Sequence, residues 1–142
     1  MAKQEIRVEL LSDPRLLKAI RGLVREYTAG LGVPGDQVAE VVLAVDEACA
    51  NAVRHSYNLK KDGQIELRLC AEPGWLEIVL RDQGIPAPVE RLRRKATSAP
   101  DKETLTPGGL GVQLMYRVFD DVEFQPGETQ GNCVTMRLRL SG

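Results

Sequence analysis

The sequence predicts an α+β fold in which helices pack on one face of a mixed, mostly antiparallel sheet. Two observations lead to this prediction. The elements follow the order strand, two helices, two strands, loop, helix, two strands, and hairpin-like turns join most strands while the helices form separate blocks. There is no internal repeat, and no linker is long enough to divide the chain. We therefore expect one domain that spans residues 1–142.

Apolar periodicity assigns the individual elements. Residues 5–11 alternate apolar and charged side chains, as a half-buried strand does. Ser12 and Asp13 are candidate N-caps for a helix that begins at Pro14 and ends near Gly30. The same rules predict the remaining elements: strands at residues 64–71, 75–80, 122–124 and 132–140, a short basic helical turn at 89–94, and a helix at 108–119.

Composition excludes several functional classes. Hydrophobic residues make up 43% and charged residues 27%, and the net charge is -1, so there is no electrostatic basis for binding nucleic acid or an anionic membrane directly. No apolar run suits a signal peptide or a membrane span. Cys49, Cys70 and Cys133 lie far apart in apolar contexts, which indicates free thiols in a reducing compartment. We expect a cytoplasmic protein.

The central helix, residues 38–57, carries two kinds of face. An apolar stripe recurs at a spacing of three and four: Val38, Val41, Val42, Val45, Ala48, Cys49 and Ala52. A second line contains Ala44, Glu47, Asn51 and His55. The Glu47 carboxylate can take a proton and the Asn51 amide oxygen can ligate a hard cation such as Mg2+. The alternative is an amphipathic helix with a solvated polar face.

Two further stretches combine chemistry with a sharp change of chain direction. Asp82 ends a predicted strand and could accept a hydrogen bond from an amino group such as that of adenine, while Gly84 leaves room for a flat ring. The glycine-rich residues 108–111 open a helix, where free N–H groups and the helix dipole attract anions. The alternatives are an ordinary loop start and a flexible helix end. Between them, residues 87–108 are predicted to form a mobile surface loop.

The combination of these stretches resembles the GHKL ATPase superfamily. The matching boxes are Glu-x-x-x-Asn at residues 47–51, Asp-x-Gly at 82–84 and Gly-x-Gly at 109–111. Within that superfamily the chain looks most like the small serine-protein kinases that act as bacterial anti-sigma factors, through residues 45–57 and 108–122. The resemblance covers nearly the whole chain.

The resemblance implies a Bergerat-type two-layer sandwich that binds ATP with Mg2+. By position, Glu47 would be the general base and Asn51 the Mg2+ ligand and a nucleotide contact. Asp82 would bind the adenine amino group, and Gly84 would floor the pocket.

The resemblance also assigns the phosphate side and the lid. Gly108, Gly109, Leu110 and Gly111 would surround the phosphates, with residues 87–108 as the lid. Asn132 stands where the family often has a threonine on the adenine side, and its amide can still donate and accept hydrogen bonds.

The implied activity is transfer of the ATP γ-phosphoryl group to a serine or threonine of a STAS-type anti-anti-sigma protein. The second implied partner is a sigma factor held inactive, and a homodimer is usual in that group. Two alternatives are an ATP-binding switch without transfer and the ATP-binding half of a histidine kinase. The latter needs a phosphoacceptor histidine in a dimerisation hairpin, whereas the single histidine here lies inside the nucleotide helix.

Several basic residues have two interpretations. His55 and Arg54 could approach the phosphates or be packed or solvated at the helix end. The run Arg91, Arg93, Arg94 and Lys95 could neutralise phosphate charge, contact a partner, or form a solvated face.

Overall fold

The computed structural model describes residues 3–94 and 109–141 and confirms the predicted α+β layers. The strands are β1 Gln4–Leu11, β2 Gln64–Glu72, β3 Trp75–Asp82, β4 Asp121–Pro126 and β5 Asn132–Arg139. The helices are α1 Leu17–Ala29, α2 Gly35–Asn51, α3 Val89–Leu92 and α4 Gly109–Val118. The strands form one sheet in the order β1-β2-β3-β5-β4.

The prediction of a mixed sheet is wrong, because all four strand pairings are antiparallel. The connection through α4 returns the chain in the same direction as β3, which would allow a parallel β3–β4 pair. The β4–β5 hairpin instead places β5 between them. Each neighbouring pair therefore remains antiparallel.

The core lies between the sheet and the helices. The whole predicted apolar stripe of the central helix is buried. It packs against inward side chains of the central strands, which include Leu67, Leu69, Leu76, Ile78 and Met136. Along β1 the predicted alternation holds, with Ile6, Val8 and Leu10 partly buried. No helix in residues 3–94 or 109–141 is long and apolar enough to cross a membrane.

The opposite face of the sheet is charged. Arg68 pairs with Glu5 at 2.8 Å and also contacts Glu77. Arg137 pairs with Glu77 at 2.8 Å and with Asp121 at 3.1 Å. These pairs cross all five strands, and they explain why the polar halves of the alternating strands face away from the helices.

The start of the first helix differs from the prediction in detail. Asp13 caps a 3-10 turn at Pro14–Leu16 by accepting a hydrogen bond from Arg15 N at 2.9 Å, and α1 follows that turn. Ser12 is instead fully buried. Its hydroxyl accepts from Gly63 N at 3.0 Å, which fastens the end of β1 to the turn before β2.

The central helix changes its pitch after Asn51. Residues Ala52–Ser56 form a π-helical turn, and Tyr57 N donates to Ala52 O at 3.0 Å, five residues back. A π-helical turn holds more residues than an α-helical turn. The α-helical spacing that the sequence predicted for residues 38–57 therefore does not apply after Asn51. Positive φ angles at Asn58 and Leu59 end the helix.

Candidate functional site

An open cleft lies between the helices and strands β3, β5 and β4 of the sheet. Its wall on the helix side includes Asn51, Ser56, Arg91, Val112 and Met115. Its wall on the sheet side includes Leu80, Asp82, Phe124, Asn132 and Val134. The cleft is thus lined by apolar side chains together with several polar ones, as small-molecule sites commonly are.

Asp82 is one of the polar residues that line the cleft. It is the last residue of β3 and is buried. Its Oδ1 accepts from Gly84 N at 2.9 Å and from Asn132 Nδ2 at 3.0 Å, and its Oδ2 accepts from Ser56 Oγ at 2.9 Å. A carboxylate has about four acceptor positions, two on each oxygen. The described residues fill both positions on Oδ1 and one on Oδ2, which leaves the second position on Oδ2 for a donor from a ligand.

Gly84 is required by the packing of two backbone segments. A Cβ atom at this position would lie 2.1 Å from Ser56 O, and the next residue, Ile85, donates its N–H to the same oxygen at 2.7 Å. The sequence suggested that Gly84 leaves room for a flat ring. The structure adds that Gly84 lets the loop after β3 dock on the end of the central helix.

Asn132 uses its amide within the protein. Its Nδ2 lies 3.0 Å from Asp82 Oδ1, 3.2 Å from Ser56 Oγ and 2.9 Å from Ile85 O. Its Oδ1 accepts from Ala87 N at 2.8 Å. With two donors facing three acceptors, Asn132 fixes the Asp82 carboxylate and the first residue of the predicted lid.

Sequence reasoning missed Ser56, although a signal was present. Ser56 follows Ala52 by four residues and so continues the apolar stripe, where a buried hydroxyl requires a polar partner. That partner is Asp82, 26 positions away in the chain. A serine at a core position is therefore the feature that could have pointed to this hydrogen-bond network.

Glu47 and Asn51 lie on consecutive turns of α2. Asn51 lines the cleft, whereas Glu47 faces the first turn of α4. A Cβ atom on Gly111 would lie 2.6 Å from Glu47 Oε2, so a larger residue at this position would displace the Glu47 carboxylate. The helix dipole favours a carboxylate beside the first turn of α4.

The predicted glycine-rich segment is partly described. Gly109 and Leu110 form the start of α4, while Gly108 and residues 95–107 of the predicted lid, with Lys95, lie outside the described residues. Arg93 and Arg94 are exposed, and the Arg94 guanidinium lies 6.0 Å from the Tyr116 ring centroid.

The π-helical turn carries Arg54 and His55. Arg54 Nη2 donates to Asn51 Oδ1 at 3.2 Å and lies 3.8 Å from Glu47 Oε2. His55 Nε2 is buried and has no hydrogen-bond partner in the part of the chain that the structure describes. Burial first, and then the charges of Arg91 and Arg54, lower the pKa of His55, so its imidazole is neutral near pH 7.

A magnesium ion fits this arrangement only as a partner of a phosphorylated ligand. Among residues 3–94 and 109–141 there is no group of three or more His, Cys, Asp or Glu side chains that could hold a metal ion. Mg2+ is commonly bound through one or two protein oxygens together with water and substrate phosphates. The Asn51 amide oxygen, at the cleft wall, suits that mode.

Comparison with known proteins identifies the family. A family profile described as "Histidine kinase-like ATPase domain" matches residues 10–138. The chain belongs to this family. The GHKL resemblance inferred from the sequence boxes is therefore confirmed, and ATP binding follows from membership of this ATPase family.

Relatives narrow the branch within the histidine kinase-like ATPases. Serine-protein kinase RsbW of Bacillus velezensis is 28% identical over 140 residues, covering 96% of this chain and 86% of that protein. Anti-sigma F factor of Heyndrickxia coagulans is 27% identical, covering 98% of this chain and 95% of that protein. These similarities over nearly the full length support serine kinase activity of the anti-sigma type in this chain.

A solved structure confirms the fold. A chain in the crystal structure of the SiaB-SiaC complex from Pseudomonas aeruginosa superposes with a TM-score of 0.69 at 16% identity, covering 94% of this chain and 88% of that chain. At this identity the likeness concerns the fold alone. It agrees with the two-layer arrangement predicted from the order of elements.

Proposed function

We propose that this chain is an ATP-dependent serine/threonine-protein kinase of the anti-sigma type. Its protein substrate is a STAS-type anti-anti-sigma protein, and its second partner is a sigma factor that it holds inactive, as a homodimer. The observation that supports this proposal is that Asp82 and Asn51 line one cleft, and that Glu47 lies one helical turn before Asn51.

Asp82 is the adenine-binding residue in this proposal. Its free acceptor position on Oδ2 receives the adenine amino group, while the apolar walls of the cleft cover the ring. Ser56, Gly84 and Asn132 hold the carboxylate in one orientation through the hydrogen bonds already described. Base recognition therefore depends on a carboxylate that is fixed before the nucleotide binds, which limits the entropy lost on binding.

The phosphates extend from Asp82 toward Asn51 and the first turn of α4. There the N–H groups at the start of the helix, from Gly109 to Gly111, meet the negative charge. Mg2+ held through Asn51 Oδ1 would supply charge neutralisation to the phosphates. Phosphoryl transfer requires positioning and electrostatic stabilisation more than covalent participation by the protein.

Glu47 is the general base. The oxygen of the substrate serine attacks the γ-phosphorus, the bond from that phosphorus to the β–γ bridging oxygen breaks, and ADP leaves. The hydroxyl proton of the serine passes to a Glu47 carboxylate oxygen. The Glu47 carboxylate lies close to Gly111 in the first turn of α4, which supports a position beside the proposed phosphate site.

The Glu47→Gln variant tests this assignment. The amide keeps the shape of the side chain but lacks a basic oxygen, so single-turnover transfer from labelled ATP to a STAS-type protein should fall roughly 10²–10⁴-fold. ATP affinity, measured by calorimetric titration, should remain near that of the wild type. Transfer at the wild-type rate would mean that Glu47 is not the base.

Glu40→Gln is the matched control. Glu40 is exposed and lies seven residues before Glu47 on the same helix, so the substitution makes the same charge change away from the cleft. Its transfer rate and ATP affinity should equal those of the wild type. If both variants lose activity alike, the loss reflects the charge of the helix and not base catalysis.

A further inference from the structure

Arg54 connects the two residues to which the proposed function assigns the transfer chemistry. Its Nη2 donates to Asn51 Oδ1 at 3.2 Å and lies 3.8 Å from Glu47 Oε2. Arg54 lies in the π-helical turn, three residues after Asn51 and seven after Glu47, so the three side chains share one face of the helix. Arg54 therefore contacts both Asn51, the proposed metal ligand, and Glu47, the proposed base.

The hydrogen-bonding capacity of Arg54 is largely unused. A guanidinium has five N–H donors in a planar fork, yet Arg54 donates one bond, at 3.2 Å to a neutral amide. Its Nε is buried and has no partner within residues 3–94 and 109–141. Arg68 and Arg137, by contrast, each contact two carboxylates on the outer face of the sheet.

The surroundings of Arg54 carry excess positive charge. Arg91 lines the cleft and has no carboxylate within salt-bridge distance in the described parts of the chain. His55 Nε2 is a second buried nitrogen that lacks a partner there. Among residues 3–94 and 109–141, Glu47 is the one carboxylate that pairs with Arg54. Two guanidinium groups against this one carboxylate favour an anionic ligand beside Arg54.

We propose that Arg54 is a phosphate-binding residue of the nucleotide cleft. On binding of a nucleoside triphosphate, the guanidinium exchanges its bond with Asn51 Oδ1 for charge-assisted bonds to phosphate oxygens, and Nε gains the acceptor it lacks. A phosphate oxygen is the stronger acceptor, and its geometry suits the guanidinium fork. The exchange also frees Asn51 Oδ1 for a metal ion, which a guanidinium on the same oxygen would repel. This inference rests on the proposed function.

The test compares Arg54→Gln with Arg21→Gln. Arg21 is the matched control, because its side chain is 39% exposed against 40% for Arg54. It donates to Asp46 on α2 at 3.0 Å, whereas Arg54 donates to the cleft residue Asn51. Calorimetric titrations use adenosine and ATP, each in EDTA and in Mg2+. Arg54→Gln should weaken ATP binding roughly 10- to 100-fold in both conditions, as the loss of hydrogen bonds to a charged group does. Its affinity for adenosine should equal that of the wild type, and Arg21→Gln should change neither.

Each other outcome has a defined meaning. Unchanged or tighter ATP binding by Arg54→Gln would overturn the inference, since Arg54 would then only compete with the metal for Asn51. An equal loss for adenosine and ATP would also overturn it, because a phosphate ligand distinguishes the two. Failure of the wild type to bind any adenine nucleotide would overturn the proposed function itself.

A second variant covers the case in which Arg54→Gln unfolds. Arg54→Lys keeps the charge and the aliphatic stem but replaces the planar fork by a point charge. It should bind ATP several-fold more weakly than the wild type and bind adenosine normally. Wild-type ATP affinity in a folded Arg54→Lys would contradict a bidentate phosphate contact.

Discussion

Replacing Gly84 by alanine should separate the loop after β3 from the end of the central helix. The added Cβ atom would lie 2.1 Å from Ser56 O and 2.5 Å from Ser56 C. Both are backbone atoms, so no change of rotamer relieves the overlap. The two segments must separate by ~1 Å before ordinary carbon–oxygen contact distances are restored.

The separation affects two hydrogen bonds. Ile85 N donates to Ser56 O at 2.7 Å, and Gly84 N donates to Asp82 Oδ1 at 2.9 Å. Overpacking of a buried contact costs about 1–3 kcal/mol. Weakening the hydrogen bond to the Asp82 carboxylate adds about 1–2 kcal/mol. We expect Gly84→Ala to lower the free energy of unfolding by about 2–5 kcal/mol, and Tm by roughly 3–5 °C for each kcal/mol.

Urea unfolding at fixed pH, with and without ATP, measures this loss. Gly22→Ala is the control, because no atom outside its own helix lies within 4 Å of an added Cβ and alanine is the better helix former by about 1 kcal/mol. Gly22→Ala should therefore be as stable as the wild type or more so. If Gly84→Ala unfolds within ~0.5 kcal/mol of the wild type, the magnitude expected of a surface substitution, the Ser56 contact does not require glycine and our account of this site is wrong.

Three other predictions concern binding, exchange and pH. Asp82→Asn should weaken ATP binding roughly 10-fold or more, because the amide offers a donor where adenine also donates; calorimetric titration beside the exposed control Asp62→Asn checks this, and equal affinities would remove Asp82 from the adenine role. Residues 87–108 should gain protection from hydrogen exchange when ATP is added, as a closing lid would, and identical exchange in both conditions would count against a lid. Burial raises the pKa of Cys49 from its ordinary value of 9.0 to about 12; the unfolded chain therefore loses the thiol proton first, and the free energy of unfolding should fall as pH rises above that ordinary value. Urea titrations of the wild type and Cys49→Ala across this range should show a shallower fall for the variant, and parallel curves would contradict the assigned cause.

The sequence determined the elements and the composition of the site. The periodicity of a helix or strand is local, so seven apolar residues of the central helix could be assigned to the core, and all seven are buried. The same locality placed Asp82 at a strand end and Asn51 one turn after Glu47. The family motifs that contain these residues, at 47–51 and 82–84, were recognisable because each depends on short spacings along the chain. The roles of these residues remain predictions.

The sequence could not determine which partners these side chains meet. The apolar stripe gives no separate signal for the π-helical turn at Ala52–Ser56. Within that turn Ser56 donates to Asp82, and its carbonyl lies against Gly84; both contacts join segments that are distant in the sequence.

Only the tertiary structure decided the strand order and the hydrogen-bond networks. Placing β5 between β3 and β4 brings Asn132 beside Asp82, 50 positions away, and beside Ser56, 76 positions away. These pairings depend on how distant segments pack, because a hydrogen bond needs a partner within about 3 Å and in the right direction. Hydrophobic periodicity specifies which face of each element is buried, but it carries no information about which polar atoms meet when those faces come together.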